Sequence, residues 1–290
     1  MNVHAVVVCF HPEVARIRAL CEAVLAANVA VVLVDNTEQG YLQAGELPAG
    51  CTLIPLGTNS GIAHAQNVGI EHARRQGAQA IVFFDQDSMP TRDFLSALLA
   101  PLRPGVPGVV GPRCRDEKSG SELPATRLNR LGLPRPVYAA SAAGPVPVDI
   151  IIASGSAATV ETFDLAGTMD EAFFIDFVDT EWCLRCRSRG VAIIVVPDAV
   201  MEHTVGSRSV RVGPLTVLVH GPLRCYYQIR NCFLLFRRSH VPWLFVLREA
   251  FSVIFGRALL LIFVPNRWEY FRAYLSAIRD GLRGKFGKRT

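Results

Sequence analysis

The sequence predicts an α/β protein in which helices cover both faces of a mostly parallel sheet. Short, valine-rich apolar runs recur through the first hundred residues, and a segment with helical spacing follows most of them. Only short connections separate these segments, which favours strand–helix–strand units in one sheet. Polar residues end three of the runs. In sheets of this kind the carboxyl ends of the strands border the ligand crevice, so we expect the functional site there.

The periodicity predicts the individual elements. Strands are predicted at 5–10, 29–35, 51–56 and 79–85, and helices at 12–27, 60–76 and 91–102. Residues 102–147 are rich in proline, glycine and arginine and predict long loops with an irregular hairpin. Further along, we expect a strand, a Ser-Gly-Ser turn and a helix over 148–167, a helix over 180–189, and a pair of strands over 191–203.

The chain divides into two predicted parts. Residues 1–214 form the sheet-based domain, and residues 215–290 form a helical, amphipathic and basic C-terminal extension. The apolar stretch 241–264 contains Arg248, Glu249 and Arg257, and charges at mid-bilayer are costly. It therefore predicts an interfacial helix, not a membrane span.

Composition excludes several classes of protein. Half of the 290 residues are hydrophobic, so disorder is excluded. The eight cysteines lack the spacing of a disulfide framework, and the pair Cys183 and Cys186 predicts ordinary helix packing. The first residues carry no basic segment typical of a signal peptide, so a cytoplasmic location with reduced cysteines is expected.

Positive charge is concentrated after Pro265. This segment contains seven arginines and lysines but only two acidic residues, Glu269 and Asp280. This imbalance indicates an anionic partner, either an acidic membrane surface or nucleic acid, although a solvated helix end has the same composition.

Two carboxylates stand one residue apart in "FFDQDSMP". Asp85 and Asp87 follow a buried strand, and oxygen ligands of this kind suit Mg²⁺ or Mn²⁺ bound to a substrate phosphate. The same residues could instead cap the following helix. A haloacid-dehalogenase-type phosphatase also carries this motif. It is disfavoured because it requires a downstream basic residue, usually lysine, and the chain has lysine only at 118, 285 and 288.

Two further residues extend the candidate site. Asp179 begins a predicted helix and shares its inward face with Cys183 and Cys186, so it is either a helix cap or a general base that deprotonates an alcohol. His203 follows a strand and is either structural or a third metal ligand.

Together these segments resemble the family 2 inverting glycosyltransferases, and most closely their bacterial rhamnosyltransferase branch. The matching stretches include "VVVCFHPE", "VVLVDNTEQG", "NSGIAHAQN", "FFDQDSMP", "FFIDFVDTEW" and "VPDAVMEHTVG", in the family's order over residues 3–210. "YYQIRNCFLLFRR" also looks like the segment that follows the catalytic domain in that branch. The resemblance implies a GT-A fold and transfer of a sugar from a nucleotide diphosphate with inversion.

The resemblance also implies residue roles. The residues assigned to donor binding are Phe10, Asp35, Asn67, Asp85, Gln86 and Asp87. The metal ligands are Asp87, His203 and Asp85, and the acceptor-side residues are Ser154, Gly155 and Trp182. Asp179 is assigned to catalysis. Within this set Asp35 would bind the nucleotide base beside Phe10, and Asp85 would contact the ribose or the metal. For Asn67, a role in packing is the alternative to donor binding.

The sequence departs from the family pattern in three places. His11 stands where many relatives carry asparagine, and Val178-Asp179 replaces the common Glu-Asp pair. The Q-x-x-R-W motif of processive synthases is absent, since Val264 occupies the glutamine position. The absence of this motif, together with the absence of predicted membrane spans, implies addition of one or a few sugars, not polymerisation.

The resulting prediction is a glycosyltransferase that moves a sugar, L-rhamnose from dTDP-L-rhamnose, to a glycan or lipid-linked glycan precursor with the help of Mg²⁺ or Mn²⁺. Its expected location is the inner face of the cytoplasmic membrane, with no nucleic-acid partner and with a homodimer left open. A sugar-phosphate nucleotidyltransferase and a non-catalytic nucleotide-sugar-binding module remain as alternatives. The former normally has a Gly- and Lys-rich N-terminal loop, which this chain lacks.

Overall fold

The computed structural model describes residues 1–91, 93–117, 119–203, 209–212, 215–264 and 266–289. For residues 203, 209–212 and 215–218 it describes the backbone alone.

The first hundred residues form alternating strands and helices. They are β1 Val3–Cys9, α1 Val14–Ala26, β2 Ala30–Asp35, β3 Cys51–Pro55, α2 Ile62–Arg75, β4 Ala80–Asp85 and α3 Phe94–Leu99. The predicted strands and helices of this region are confirmed to within a few residues, except that α3 is half the predicted length.

The remaining chain adds a second group of strands and then helices. These are β5 Gly108–Asp116, β6 Glu122–Leu123, β7 Ala125–Leu128, β8 Pro134–Val137, β9 Val146–Val148, β10 Ala157–Thr159, α4 Val160–Ala166, α5 Val178–Ser188, β11 Ala192–His203, β12 Ser209–Val212, β13 Leu215–Leu218, α6 Pro222–Phe236, α7 Trp243–Phe263 and α8 Arg267–Leu282.

The main sheet has the order β3-β2-β1-β4-β10-β5-β11-β9, with β6 paired to β5. Strands β1 to β4 are parallel to one another, and so are β5 and β11. The short strand β10 runs antiparallel between β4 and β5. The prediction of a mostly parallel α/β sheet followed by a helical region is therefore confirmed.

Two sequence-based predictions are wrong in this sheet. Residues 102–147 contain the predicted hairpin, formed by β7 and β8, but also β5, a central strand of nine residues that the glycine, proline and arginine of "GVVGPRCRD" concealed. Residues 192–203 form one strand, not two. Its register against β5 shifts between Val196 and Val200, around Pro197, which has no N–H to donate to the ladder.

The C-terminal helices share a core with the sheet. Leu234 and Leu235 of α6 and Phe245 and Val246 of α7 are buried in the same cluster as α5 and the sheet. The predicted boundary at residue 214 lies between β12 and β13, and the helical region begins at Pro222. The division into two domains stays a prediction.

All eight cysteines are free thiols. Cys183 and Cys186 are buried in the core, which confirms the packing role predicted for this pair. None of the helices in the described part of the chain combines the length and apolar character needed to cross a bilayer.

Candidate active site

The carboxyl ends of β1, β2 and β4 open into two adjoining cavities of about 480 and 410 Å³. Both are lined by Ile62, Asp85, Ile175 and Arg224. The first cavity is also lined by Val8, Phe10, Asn36, Asn59, Gly61, Gln86, Asp87, Phe174, Leu223 and Tyr227, and the second by Gln66, Ile152, Ala153, Ser154, Asp176, Phe177, Val178 and Asp179. The strand-end site predicted from the sequence is thus a real cleft, and helix α6 closes one side of it.

Asp85 and Asp87 lie on a turn that ends β4. The N–H of Ser88 donates to the Asp85 carbonyl at 3.1 Å, and the N–H of Asp85 donates to Ser88 Oγ at 3.1 Å. Asp85 is half-buried and Asp87 is exposed. Since both residues line the first cavity, the turn presents two carboxylates to the same space.

The structure excludes the helix-cap interpretation of this pair. Helix α3 begins at Phe94, and its N-cap residue is Asp93, whose side chain makes no capping hydrogen bond. Asp87 is therefore six residues from the cap position, too far along the chain to satisfy the first N–H groups of α3.

Gln86 and Phe10 are linked across β1 and β4. The Phe10 N–H donates to Gln86 Oε1 at 2.7 Å. The Phe10 ring is 42% exposed, which leaves a large aromatic surface on the rim of the first cavity. Gln86 thus fixes the backbone of the residue predicted to lie beside the nucleotide base.

Asp35 is fully buried at the end of β2 and orders the loop that follows it. Its Oδ1 accepts from the Thr37 N–H at 3.0 Å, and its Oδ2 accepts from Tyr41 and Leu42 at 2.6 and 3.0 Å. Burial alone would raise the pKa of this carboxyl, but these N–H donors outweigh it and hold the pKa below its usual range. Asp35 lines neither cavity, and its contact with a nucleotide base stays a prediction.

Two asparagines that sequence reasoning did not select line the first cavity. Asn36 donates to Asn59 Oδ1 at 3.2 Å and accepts from the Ser60 N–H at 2.7 Å. Asn59 Oδ1 also accepts from the Gly61 N–H at 3.1 Å. The pair joins the ends of β2 and the loop before α2. Its signals in the sequence were the position of Asn36 at the end of a predicted strand and the match of Asn59 to a segment of the family.

Asp179 lies in the first turn of α5 and lines the second cavity. Its Oδ1 accepts from the Thr180 N–H at 2.7 Å, so it satisfies one of the N–H groups that a helix start leaves unpaired. Burial raises the pKa of Asp179, the backbone donors of Thr180 and Ala153 oppose this effect, and the negative charge of Asp176 adds to it. The carboxyl is therefore better suited to accept a proton than an exposed aspartate.

Asp176 and Arg224 line the cleft and form an ion pair, and the sequence did not predict either residue as part of the site. Arg224 Nε lies 3.2 Å from both oxygens of Asp176, and a terminal nitrogen lies 3.0 Å from Oδ1. The signal for Asp176 was present as a second aspartate three residues before Asp179. Arg224 lies 45 residues after Asp179 and could be placed in the cleft only from the fold.

Ser154 and Gly155, both predicted on the acceptor side, are part of the turn before β10. Ser154 lines the second cavity and its Oγ lies 2.8 Å from Ser88 Oγ, which connects this turn to the Asp85 turn. Gly155 has φ +73°, and a Cβ there would lie 2.7 Å from Met201 Sδ. Gly155 therefore shapes the turn and lines neither cavity.

Trp182 and Asn67 do not reach the cavities. Trp182 is buried in the core, stacked on Phe163, and its Nε1 donates to the Gly167 carbonyl at 2.9 Å. The Asn67 amide donates to the Met169 carbonyl at 2.9 Å and accepts from the Met169 N–H at 2.8 Å. Asn67 thus joins α2 to the segment before α5, which is the packing role given as its alternative.

The predicted metal ligands are brought together only in part. Asp85 and Asp87 share one turn, but the side chain of His203 lies outside the described residues. Among the side chains that are described, no three His, Cys, Asp or Glu residues are arranged to hold a metal ion. The chemistry of the two-carboxylate turn nevertheless fits Mg²⁺ or Mn²⁺, which commonly bind one or two carboxylates and complete their shell with water and phosphate oxygens.

Comparison with known proteins identifies the family. The sequence pattern described as "Glycosyl transferase family 2" matches residues 5–154, slightly more than half of the chain. The chain belongs to this family. It is also 36% identical over 287 residues to the dTDP-rhamnosyl transferase RfbF of Shigella flexneri, covering 99% of this chain and 97% of that protein.

Solved structures agree with the assignment at the level of the fold. Staphylococcus aureus TarS 1–349 in complex with UDP-GlcNAc superposes with a TM-score of 0.58 at 15% identity, covering 98% of this chain and 81% of that one. GalNAc-T7 with UDP, GalNAc and Mn²⁺ superposes with a TM-score of 0.56 at 16% identity, covering 70% of this chain and 43% of that one. The glycosyltransferase has the predicted GT-A fold, and the nucleotidyltransferase and non-catalytic alternatives are set aside by its family.

Proposed function

We propose that this glycosyltransferase moves L-rhamnose from dTDP-L-rhamnose to a hydroxyl group of a glycan or lipid-linked glycan precursor, with inversion at the anomeric carbon. The observation that carries the proposal is the position of Asp179. It is a half-buried carboxylate with a raised pKa in the second cavity, which joins the Asp85–Asp87 turn through shared lining residues. The choice of donor follows the 36% identical relative named as a dTDP-rhamnosyl transferase.

A single displacement accounts for the arrangement. Asp179 accepts the proton of the acceptor hydroxyl as its oxygen attacks the anomeric carbon. The bond between that carbon and the phosphate oxygen breaks on the opposite side, and dTDP leaves with the bonding electrons. One attack without a covalent enzyme intermediate inverts the configuration.

The charges of the cleft support a divalent cation in the reaction. Four aspartates line the two cavities, namely Asp85, Asp87, Asp176 and Asp179, and Arg224 is the one cationic side chain among the described residues that line them. A nucleoside diphosphate would add further negative charge to this site. Asp85 and Asp87 would hold Mg²⁺ or Mn²⁺, with His203 as a further proposed ligand. Such an ion stabilises the negative charge that grows on a leaving diphosphate.

Arg224 has a complementary role. Its guanidinium is half exposed and lines both cavities, so it is accessible to a diphosphate while it also pairs with Asp176. A planar guanidinium forms two-point hydrogen bonds with phosphate as readily as with carboxylate. We assign it to the leaving diphosphate.

The nucleotide base is assigned to the rim beside Phe10. The exposed ring offers a surface on which a base can stack. Asp35 contributes by ordering residues 37–42 through three backbone N–H groups, which shapes the loop next to this rim.

A lipid-linked acceptor requires the cleft to work at a membrane surface, and α7 and α8 support this. Exposed apolar side chains recur along one face of α7 at helical spacing. They are Trp243, Leu247, Phe251, Ile254, Phe255 and Ile262. On α8, Trp268, Phe271, Leu275 and Leu282 form an exposed apolar stripe, and Arg272, Arg279 and Arg283 lie beside it. An apolar stripe bordered by arginine is the pattern of a helix that lies in an anionic lipid surface.

The deciding experiment compares Asp179→Asn with the wild type, using dTDP-L-rhamnose and Mn²⁺. We expect transfer to fall by about 10³-fold or more, because the amide cannot accept the proton. Donor binding, measured as a thermal shift, should be nearly unchanged. Asp164→Asn, an exposed aspartate of α4 that pairs with Arg74, is the matched control. Near-wild-type transfer by Asp179→Asn would refute the assignment of the base, and NMR of the product tests inversion.

A further inference from the structure

The segment immediately before α5 is held in a strained conformation. Phe174, Asp176 and Phe177 have φ values of +63°, +61° and +65°, a region that non-glycine residues rarely occupy. The Ile175 N–H donates to the Phe173 carbonyl at 2.7 Å, which closes a tight three-residue turn at Phe174. Side chains with a Cβ adopt this conformation only at a cost in free energy, so other contacts must hold this segment in place.

Helix α6 supplies those contacts through Asn231. This side chain is fully buried, and its amide nitrogen lies 3.0, 2.7 and 2.9 Å from the carbonyls of Phe173, Ile175 and Asp176. Three backbone carbonyls in and next to the strained segment therefore accept hydrogen bonds from one amide group, whose two N–H bonds are shared among them.

Arg230 fixes the orientation of that amide. Its Nε donates to Asn231 Oδ1 at 2.8 Å, and because a guanidinium only donates, the amide nitrogen must face the turn. Another nitrogen of Arg230 donates to the Phe173 carbonyl at 3.1 Å. Arg230 also donates to the carbonyls of Lys285 and Gly287, so the end of the chain supports the same cluster.

The strained segment sets the position of the acidic residues in the second cavity. Phe177 is the N-cap residue of α5, and Asp179 is the second residue of that helix. Asp176 belongs to the segment itself and pairs with Arg224. The Phe174 carbonyl accepts from the Ile62 N–H at 2.8 Å, which joins the segment to the start of α2. A change in the backbone conformation of residues 174–177 would therefore move Asp176 and the start of α5 together.

We propose that Asn231, oriented by Arg230, is a positioning residue: it holds residues 173–177 so that Asp179 faces the acceptor hydroxyl. The proposal rests on the proposed role of Asp179 as the base. It assigns to α6 a function in the reaction step, in addition to its function as a wall of the cleft. Neither Asn231 nor Arg230 lines either of these two cavities, so neither is expected to contact the substrates.

The variant Asn231→Leu tests this proposal because it keeps the approximate shape of the side chain and adds no charge but removes the N–H donors. We expect kcat to fall about 10- to 100-fold, since a displacement of about 1 Å costs rates of this order. The KM for dTDP-L-rhamnose should stay within about 2-fold, because Phe10, Asp85 and Asp87 lie on other elements and Arg224 is about two helical turns from Asn231 on α6.

The pH profile gives the readout that a merely structural role would not change. The charged groups that line the cavity around Asp179 are Asp85, Asp176 and Arg224. Release of the segment would hydrate Asp179 and separate it from Asp176, so the acidic limb of the kcat profile should move to lower pH.

Tyr226→Phe is the matched control. It removes a buried hydrogen bond of the same helix, from Tyr226 Oη to Asp280 at 3.0 Å, without touching residues 173–177. It should leave kcat per folded molecule and the acidic limb unchanged. If Asn231→Leu does not fold, Asn231→Ser, which is smaller and keeps one donor, is measured by the same two readouts.

The proposal is overturned if the Asn231 variants match Tyr226→Phe in kcat per folded molecule, or if their acidic limb stays at the wild-type pH. A rise in KM with unchanged kcat would also overturn it. Failure of the base assignment is recognised separately, because Asp179→Asn would then remain active whatever the Asn231 variants do.

Discussion

Arg224 and Asp176 form a two-point ion pair at the junction of the two cavities, with Arg224 Nε 3.2 Å from each carboxylate oxygen. The Asp176 side chain is 14% exposed and that of Arg224 is 49% exposed. The guanidinium can therefore meet a ligand, whereas the carboxylate is held inside the cleft. Helix α6 and the segment before α5 meet at this pair.

The first prediction concerns the cation of the pair. Arg224→Gln should raise the KM for dTDP-L-rhamnose about 10-fold or more, because a charge-assisted contact with the diphosphate is lost. Steady-state kinetics at several donor concentrations measure the effect. Arg75→Gln is the control, since Arg75 pairs with Glu71 on the surface of α2. An unchanged KM would remove Arg224 from the donor site.

The second prediction concerns pH. Asp179 must be unprotonated to act as a base, so transfer falls as the pH drops through its pKa, and the raised pKa places this loss above the range of an ordinary aspartate. Asp176→Asn removes a negative neighbour and frees Arg224. Both effects lower the pKa of Asp179, and the acidic limb of kcat/KM should move to lower pH.

Profiles of the wild type, Asp176→Asn and the surface control Asp164→Asn, measured at constant ionic strength, test this direction. Asp164→Asn should follow the wild type. A shift of the Asp176→Asn limb toward higher pH would contradict the electrostatic coupling between the two aspartates.

The third prediction concerns the metal. Asp87→Asn should remove most Mn²⁺-dependent stabilisation by dTDP-L-rhamnose, because a neutral amide is a much weaker ligand for a hard cation. Transfer should fall at least about 100-fold at millimolar Mn²⁺. Thermal shifts with and without EDTA measure the metal dependence, with Asp93→Asn as the control. Equal stabilisation of Asp87→Asn and wild type would contradict the assignment.

The sequence predicted the half of the site that belongs to regular strand–helix units. Valine-rich runs located β1, β2 and β4, and polar residues at their ends located Asp85 and Asp87. The other half comes from segments without such periodicity. Arg224 and Asn231 lie on a helix far along the chain, and the positive φ angles at Asp176 and Phe177 depend on tertiary hydrogen bonds that no local pattern encodes.

Trp182 and Asn67 illustrate the opposite error. Both stand in segments that match the family, which made them candidates for substrate contact. Trp182 Nε1 and the Asn67 amide are each satisfied by backbone groups of 167–169, and these contacts pack α5 and α2 against the same connection. A motif match therefore marked structural residues as well as those of the cleft.

The fourth prediction concerns stability. Asp35→Asn should lower the free energy of unfolding by about 2–4 kcal/mol, because one of its two acceptor atoms becomes a donor that faces the N–H groups of the loop. The folded-state pKa of Asp35 is lowered, so its stabilisation is present above the unfolded pKa of about 3.9 and is lost as the pH falls through the folded value. Urea titrations should therefore show the difference at pH 7 and a smaller one near pH 3. A constant difference across this range would contradict the role of the carboxylate charge.

The last prediction concerns the membrane surface. Deletion of the basic C-terminal residues is a poor test, because Lys285 and Gly287 accept hydrogen bonds from Arg230 and Arg289 lies over the Tyr226 ring. Point substitutions on α7 avoid this problem.

Phe251→Asp combined with Phe255→Asp should reduce retention on phosphatidylglycerol-containing vesicles about 10-fold or more, since exposed apolar area and attraction to anionic lipid act together. The two rings are 71% and 46% exposed and stack on each other, so the fold should tolerate the change. Val106→Asp, at an exposed apolar residue of the loop before β5, is the control and should bind as the wild type does. Equal retention of all three proteins on anionic vesicles would exclude the α7 face as the lipid contact, and equal retention of the wild type on neutral vesicles would exclude the arginines of α8.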